Sequence, residues 1–66
     1  MAVAEPIWQD ELMGVVVRQI TTIGDPFYAI FRGGALVISV STEHQAMVLG
    51  RQEAARLRER AGLEEE

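Results

Sequence analysis

The stretch from residue 15 to 23 is dominated by β-branched side chains, since seven of its nine residues are valine, isoleucine or threonine. Such residues lose χ1 freedom in a helix and pack well on a pleated surface. The stretch is therefore predicted to be a strand. Two more strands are predicted over residues 27–32 and 35–41, after a turn at Gly24-Asp25-Pro26. Gly33-Gly34 between them is typical of a two-residue hairpin turn.

The hairpin register follows from the turn. A two-residue loop pairs Arg32 with Ala35 and Phe31 with Leu36. Continued regularly, it pairs Ala29 with Ile38 and Phe27 with Val40. One face is then wholly apolar: Phe27, Ala29, Phe31, Leu36, Ile38 and Val40. A slip of one residue would destroy this segregation, so we expect this register and expect this face to receive a helix.

Residues 6–13 are predicted to form a short helix. Pro6 suits the first helical position, where its missing N–H costs nothing, and Gly14 is a plausible helix end. One long helix over residues 6–23 is the alternative. It is suggested by an apolar stripe at helical spacing: Trp8, Leu12, Val16, Ile20 and Ile23.

A long C-terminal helix begins at Thr42. Thr42 and Gln45 fit a capping box, and Gly62 is the expected C′ residue. Its predicted apolar seam is Met47, Gly50, Ala54, Leu57 and Ala61. The chain is thus predicted to be one α+β domain over residues 1–66, with 1–5 and 63–66 frayed. Its architecture is a three-stranded antiparallel meander with the long C-terminal helix packed on one face and a short N-terminal helix.

Composition narrows the function classes. The chain has 66 residues, 48% of them hydrophobic, and no cysteine, which excludes disulfides and thiol chemistry. No apolar run approaches the ~18 residues that span a membrane, and no signal peptide is predicted, so a cytoplasmic location is expected. The six basic residues are all arginine, which points to a high-GC genome and a bacterial or phage origin.

Catalytic and metal chemistry find little support. His44 is the only histidine, and with Ser41 and Thr42 it superficially suggests a nucleophile and its base. Residues at a helix start act far more often as caps. A lone histidine is also a poor transition-metal site. We therefore expect no enzyme activity, no catalytic residue, no bound metal and no cofactor.

Association is expected from the size of the chain and from its leftover apolar surface. A core this small is a marginal source of stability. Strand 35–41 carries neither charge nor proline, so its edge is unprotected. A homodimer is predicted, through edge pairing or stacking of the second sheet faces, with a monomer covered by the N-terminal helix as the alternative. The predicted protein-interface residues are Trp8, Tyr28, Ile30 and Val37, although Trp8 alone is more typical of a core anchor.

Two functions follow from these expectations. The first is a non-enzymatic protein–protein interaction module: a regulator, inhibitor or accessory subunit that acts as a homodimer on an unidentified protein partner. The alternative is a small dimeric nucleic-acid-binding transcriptional regulator. It would use the predicted helix-face arginines Arg51, Arg56, Arg58 and Arg60 to contact nucleic acid or an acidic partner. The net charge of −4 disfavours nucleic acid, and a solvated face with Glu53–Arg56 and Arg56–Glu59 pairs explains the cluster better than a binding site does.

An architectural resemblance bears on the nucleic-acid alternative. In outline, three strands followed by a helix are similar to the small arm-binding modules of tyrosine recombinases. This resemblance implies DNA binding, but the basic residues that such a module needs on its sheet are mostly absent. A third possibility, an enzyme subunit with a site at a shared interface, has no specific residue in its favour.

Overall fold

The computed structural model describes residues 3–62, which form one four-stranded antiparallel sheet and one helix. The elements in chain order are β1 (Val3–Asp10), β2 (Val15–Thr21), β3 (Phe27–Arg32), β4 (Ala35–Val40) and α1 (Glu43–Arg60). The strands are neighbours in the order β1-β2-β3-β4. The α+β class and the C-terminal helix are confirmed, but the sheet has four strands rather than three. Residues 63–66, expected to fray, lie outside the described part of the chain.

The predicted N-terminal helix is wrong, and so is the long helix over residues 6–23. Residues 3–10, including 3–5 that were expected to fray, form β1, which pairs antiparallel with β2. A helix of only eight residues is marginal by itself, whereas β1 pairs with β2 at every residue except Ile7. Pro6 is tolerated because β1 is an edge strand.

The turn between β1 and β2 explains the local features that suggested a helix. Asp10 accepts a hydrogen bond from the Met13 backbone N–H at 3.2 Å, which closes the turn. Gly14 adopts a φ of 71°, a conformation that a glycine reaches without strain. A glycine with positive φ therefore ends this segment as a turn, not as a helix cap.

The hairpin register is confirmed next to the turn and wrong beyond it. Arg32 pairs with Ala35 and Phe31 with Leu36, as predicted. A β-bulge then places Val37 as an extra residue, so Ile30 pairs with Ile38. Downstream of the bulge, Ala29 pairs with Ser39 and Tyr28 with Val40. The predicted pairs Ala29–Ile38 and Phe27–Val40 do not form, because the extra residue turns both β4 side chains to the other face.

Helix α1 packs on the face that carries Tyr28 and Ile30, not on the Phe27 face as expected. The fully buried core side chains are Val15, Val17 and Ile30. Small helix residues make this contact close: Ala46, Gly50 and Ala54 are the buried residues of α1. The β-branched strand residues match the small residues at the centre of this helix surface, while Leu49 and Leu57 pack against the core around them.

The ends of α1 agree with the predicted caps. The Thr42 side chain accepts a hydrogen bond from the Gln45 backbone N–H at 3.2 Å. Gly62 follows the helix with a φ of 74°, and its N–H donates to the Glu59 carbonyl. Within the predicted seam, Gly50 and Ala54 are buried and Leu57 packs against the core, whereas Ala61 is exposed.

Candidate functional site

The β4 strand is an exposed sheet edge. It pairs with β3 on one side, and among the described residues nothing pairs with its other side. Three consecutive large apolar side chains on it are exposed: Leu36 by 59%, Val37 by 44% and Ile38 by 44%. An uncharged apolar edge with unpaired backbone groups is a ready template for another strand.

The opposite edge, β1, carries residues that disfavour pairing with another strand. It contains Pro6, which lacks a hydrogen-bond donor, and the charged residue Glu5. Asp10 at its end is tied to α1 by Arg58. Both edge strands have an irregular ladder, at Ile7 in β1 and at Val37 in β4, so this feature does not distinguish them. The two edges differ in that only β4 lacks both charge and proline.

A groove of about 330 Å³ separates β4 from helix α1. Ile30, Val37 and Ile38 lie on its strand side, and Leu49 lies on its helix side. The polar rim consists of Gln52, Glu53 and Arg56. Glu53 accepts hydrogen bonds from Arg56 at 2.6 Å and from Arg32 at 2.8 Å. The hydrogen bond from Arg56, and secondarily the pairing with Arg32, lower the pKa of Glu53. The groove is thus apolar inside and has an ion-pair cluster at its rim.

The sheet face away from α1, here called the open sheet face, follows from the strand registers. Residues directly opposite each other in antiparallel strands share a face. The open sheet face consists of Ala4, Pro6, Gln9, Val16, Arg18, Ile20, Phe27, Ala29, Phe31, Leu36 and Ser39. Arg18 is the one charged residue among these eleven. Sequence reasoning had placed the helix here and so did not identify this face as a surface.

The predicted interface residues separate into three positions. Trp8 and Tyr28 are half-buried and pack against the core, and Trp8 lies beside Gly50. Ile30 is buried beneath the helix. Val37 is exposed on β4. The structure therefore leaves only Val37 of the four on an accessible surface, and adds Leu36 and Ile38 beside it.

The arginine cluster on α1 is partly engaged in ion pairs. Arg58 holds the Asp10 carboxylate with two hydrogen bonds, of 2.9 and 3.1 Å, which bind the end of β1 to the helix. The Arg58 hydrogen bond lowers the pKa of Asp10. The predicted Glu53–Arg56 pair is confirmed. Arg51 and Arg60 are exposed, and Arg51 borders a shallow depression beside His44.

The geometry at the start of α1 does not support a catalytic role for Thr42 and His44. Thr42 is used as the N-cap and His44 is exposed. Over residues 3–62, no three histidine or carboxylate side chains come together in a way that could hold a metal ion. Within the same range, the helix is not long and apolar enough to cross a membrane.

The accessible apolar surfaces of the sheet are therefore the β4 edge with its groove and the open sheet face. The lack of charge in residues 35–40 pointed to the edge. No pattern in the sequence predicts the bulge beside which Val37 and Ile38 are both exposed. No protein-family model, no curated protein and no solved structure matches the chain.

Proposed function

We propose that this chain is a non-enzymatic protein-interaction module, acting as a regulator, inhibitor or accessory subunit, whose two copies pair β4 to β4. One observation carries the proposal: three consecutive large apolar side chains are exposed on an uncharged, unpaired edge strand. Pairing this edge satisfies its backbone groups and brings the exposed Val37 and Ile38 side chains of the two copies together.

A second copy is the occupant that this edge fits best. An antiparallel strand pair is symmetric about a two-fold axis, so β4 can serve as its own partner. Residues 35–40 carry no charge, so no like charges oppose one another in any register of this pairing. A domain of this size also gains stability from association, because its own core is small.

Edge pairing has a definite geometric consequence. A two-fold axis perpendicular to the sheet makes one eight-stranded sheet and leaves both α1 helices on the same side. The two grooves then face each other across the axis, with Val37, Ile38 and Leu49 of each copy between the helices. The open sheet faces lie together on the opposite side. The dimer would thus bury the apolar edge and leave a continuous sheet face available to other molecules.

Val37→Asp tests the pairing directly. An aspartate on β4 places two carboxylates close together at the two-fold axis, so we expect the mass measured by analytical ultracentrifugation to fall from dimer to monomer. Val48→Asp is the matched control, because Val48 is 39% exposed on α1 and does not line the groove beside β4. Ile30→Asp is unsuitable, since it would place a charge in the core.

Single-cysteine variants give a second readout, because the chain has no cysteine of its own. Val37→Cys or Ile38→Cys should form an intermolecular disulfide under mild oxidation, whereas Val48→Cys should not. A monomeric wild-type chain, or a Val37→Asp variant that keeps the wild-type mass and circular dichroism spectrum, would refute β4 pairing.

A further inference from the structure

The open sheet face contains a trough that runs across the strands. One row of paired residues across the four strands has small side chains except for one arginine: Pro6, Arg18, Ala29 and Ser39. Ala29 is 3% exposed, so it forms the floor. Large apolar residues flank this row on both sides. Ile20 and Phe27 form one wall, and Val16, Phe31 and Leu36 form the other.

The dimensions of the trough suit one helix. The wall residues are two positions either side of the central row, so their Cα rows are about 13 Å apart at ~3.3 Å per residue. An α-helix with its side chains is about 10–12 Å wide, so it would rest on the wall side chains and place one stripe of its own side chains between them. Four strands at ~4.8 Å spacing extend the trough over about 14 Å, which three helical turns cover. The opposite face of the same sheet already binds one helix, α1.

Arg18 determines the chemistry of the occupant. It lies on an interior strand, opposite Pro6 on one side and Ala29 on the other, neither of which can pair with a guanidinium. None of the ion pairs within residues 3–62 includes Arg18. None of the strand residues on the open sheet face is acidic. The Glu11 carboxylate accepts a hydrogen bond from Gln9, which lies in the row of Val16 and not in the row of Arg18. Covering it with a purely apolar surface would desolvate an uncompensated charge, which is strongly unfavourable.

A second copy of this chain is a poor occupant for the same reason. Stacking two open sheet faces about a two-fold axis would bring two central arginines into one desolvated interface with no carboxylate between them. We infer that the trough binds an amphipathic helix of a different protein, about three turns long, whose apolar stripe carries a central aspartate or glutamate. The carboxylate pairs with Arg18, and the stripe packs between Phe27 and Phe31. The trough includes Leu36 and Ser39 of β4 but lies on the face of the sheet and not along its edge, so the inference holds for a monomer and for an edge-paired dimer alike.

A displayed library of helical peptides tests the charge requirement. Each peptide has three turns with fixed leucines along one stripe and a fully randomised central position. Selection against the wild-type chain should enrich aspartate and glutamate at that position, and selection against Arg18→Glu should enrich lysine and arginine. Arg51→Glu is the matched control, because it reverses an exposed arginine of α1 and should leave the acidic preference unchanged.

The affinity of one selected acidic peptide then measures how much Arg18 contributes to binding. Arg18→Gln should weaken it roughly tenfold to hundredfold, as expected for loss of a charge-assisted pair. Phe31→Ala should weaken it as well, with an unchanged circular dichroism spectrum. No enrichment, or the same enrichment against wild type and Arg18→Glu, overturns the inference. So does a lower solution mass of Arg18→Glu, which would show a second copy on this face, or binding of single-stranded DNA that Arg18→Glu abolishes.

Discussion

Gly50 offers the sharpest test of how α1 sits on the sheet. It lies in the middle of the helix and is buried against β2. A Cβ atom added there would overlap the Val17 Cγ2 methyl group and lie 3.7 Å from the Trp8 ring. Gly50→Ala therefore has two opposite effects on stability. Alanine favours the helix, but there is no room for its methyl group.

The clash should outweigh the propensity gain. Replacing glycine by alanine inside a helix contributes about 1 kcal/mol. Adding a methyl group to a well-packed core costs about 1–3 kcal/mol. Val17 is fully buried and β-branched, so it cannot rotate away from the new atom. We place the cost at the upper end of its range and expect Gly50→Ala to lower the free energy of unfolding by about 1–2 kcal/mol.

Urea unfolding followed by Trp8 fluorescence measures this change, since the single tryptophan lies at the same contact. All variants are compared at one protein concentration, because association raises apparent stability. Ala55→Gly, at an exposed helix position, calibrates the propensity contribution and should cost about 1 kcal/mol.

A double-mutant cycle identifies the contact. Val17→Ala makes space for the new methyl group, so the Gly50→Ala/Val17→Ala double variant should lose less stability than the sum of the single variants. A Gly50→Ala chain more stable than wild type, or strictly additive losses in the double variant, would show that α1 does not contact β2 through Gly50.

Three further changes test the ion pair, the helix cap and the bulge. The pKa of Asp10 is lowered by Arg58, so the stability from this pair is present at neutral pH and is lost as pH falls below about 4. Asp10→Asn should lower the thermal midpoint at pH 7 and flatten its fall between pH 5 and 3. Thr42→Ala should cost about 1 kcal/mol in urea unfolding, and Thr42→Asp should cost little. Deleting Val37 removes the extra residue of the bulge but keeps every other β3–β4 pair, so NMR contacts between Tyr28 and Val40 should persist.

Local features of the sequence correctly predicted the hairpin turn and the helix ends, because the residues at each of these positions determine its structure. Gly33-Gly34 set the hairpin turn and its first two pairs, and both glycines adopt positive φ. Thr42 and Gly62 set the ends of α1. Such features depend on a few neighbouring residues, so they do not require knowledge of the rest of the chain.

The N-terminal strand could not be predicted in this way. Pro6 and Gly14 suit the ends of a short helix and equally suit an edge strand followed by a turn. The choice between them depends on pairing with β2, which lies outside the segment itself. Stability from a neighbouring strand thus overrode a plausible local pattern.

The face that receives α1 was misassigned for a different reason. Both faces of β3 carry apolar side chains, with Phe27 and Phe31 on one and Tyr28 and Ile30 on the other. A hairpin without a bulge would place Ile38 on the same face as Phe27, and that face was therefore predicted to be the core. One extra residue at the bulge reversed this assignment. Hydrophobicity along a strand could not reveal it, because every residue from 35 to 38 is apolar.

Shape, more than hydrophobicity, separates the two faces of the sheet. The helix brings glycine and alanine to its contact, and these fit the flat surface of Val15, Val17 and Ile30. They would leave empty space between the tall Phe27 and Phe31 side chains and would leave Arg18 without a partner. The partner helix that we propose for the open sheet face supplies both larger side chains and a carboxylate. Because α1 supplies neither at its buried positions, it packs on the face of Val15, Val17 and Ile30 and leaves the open sheet face to solvent within residues 3–62.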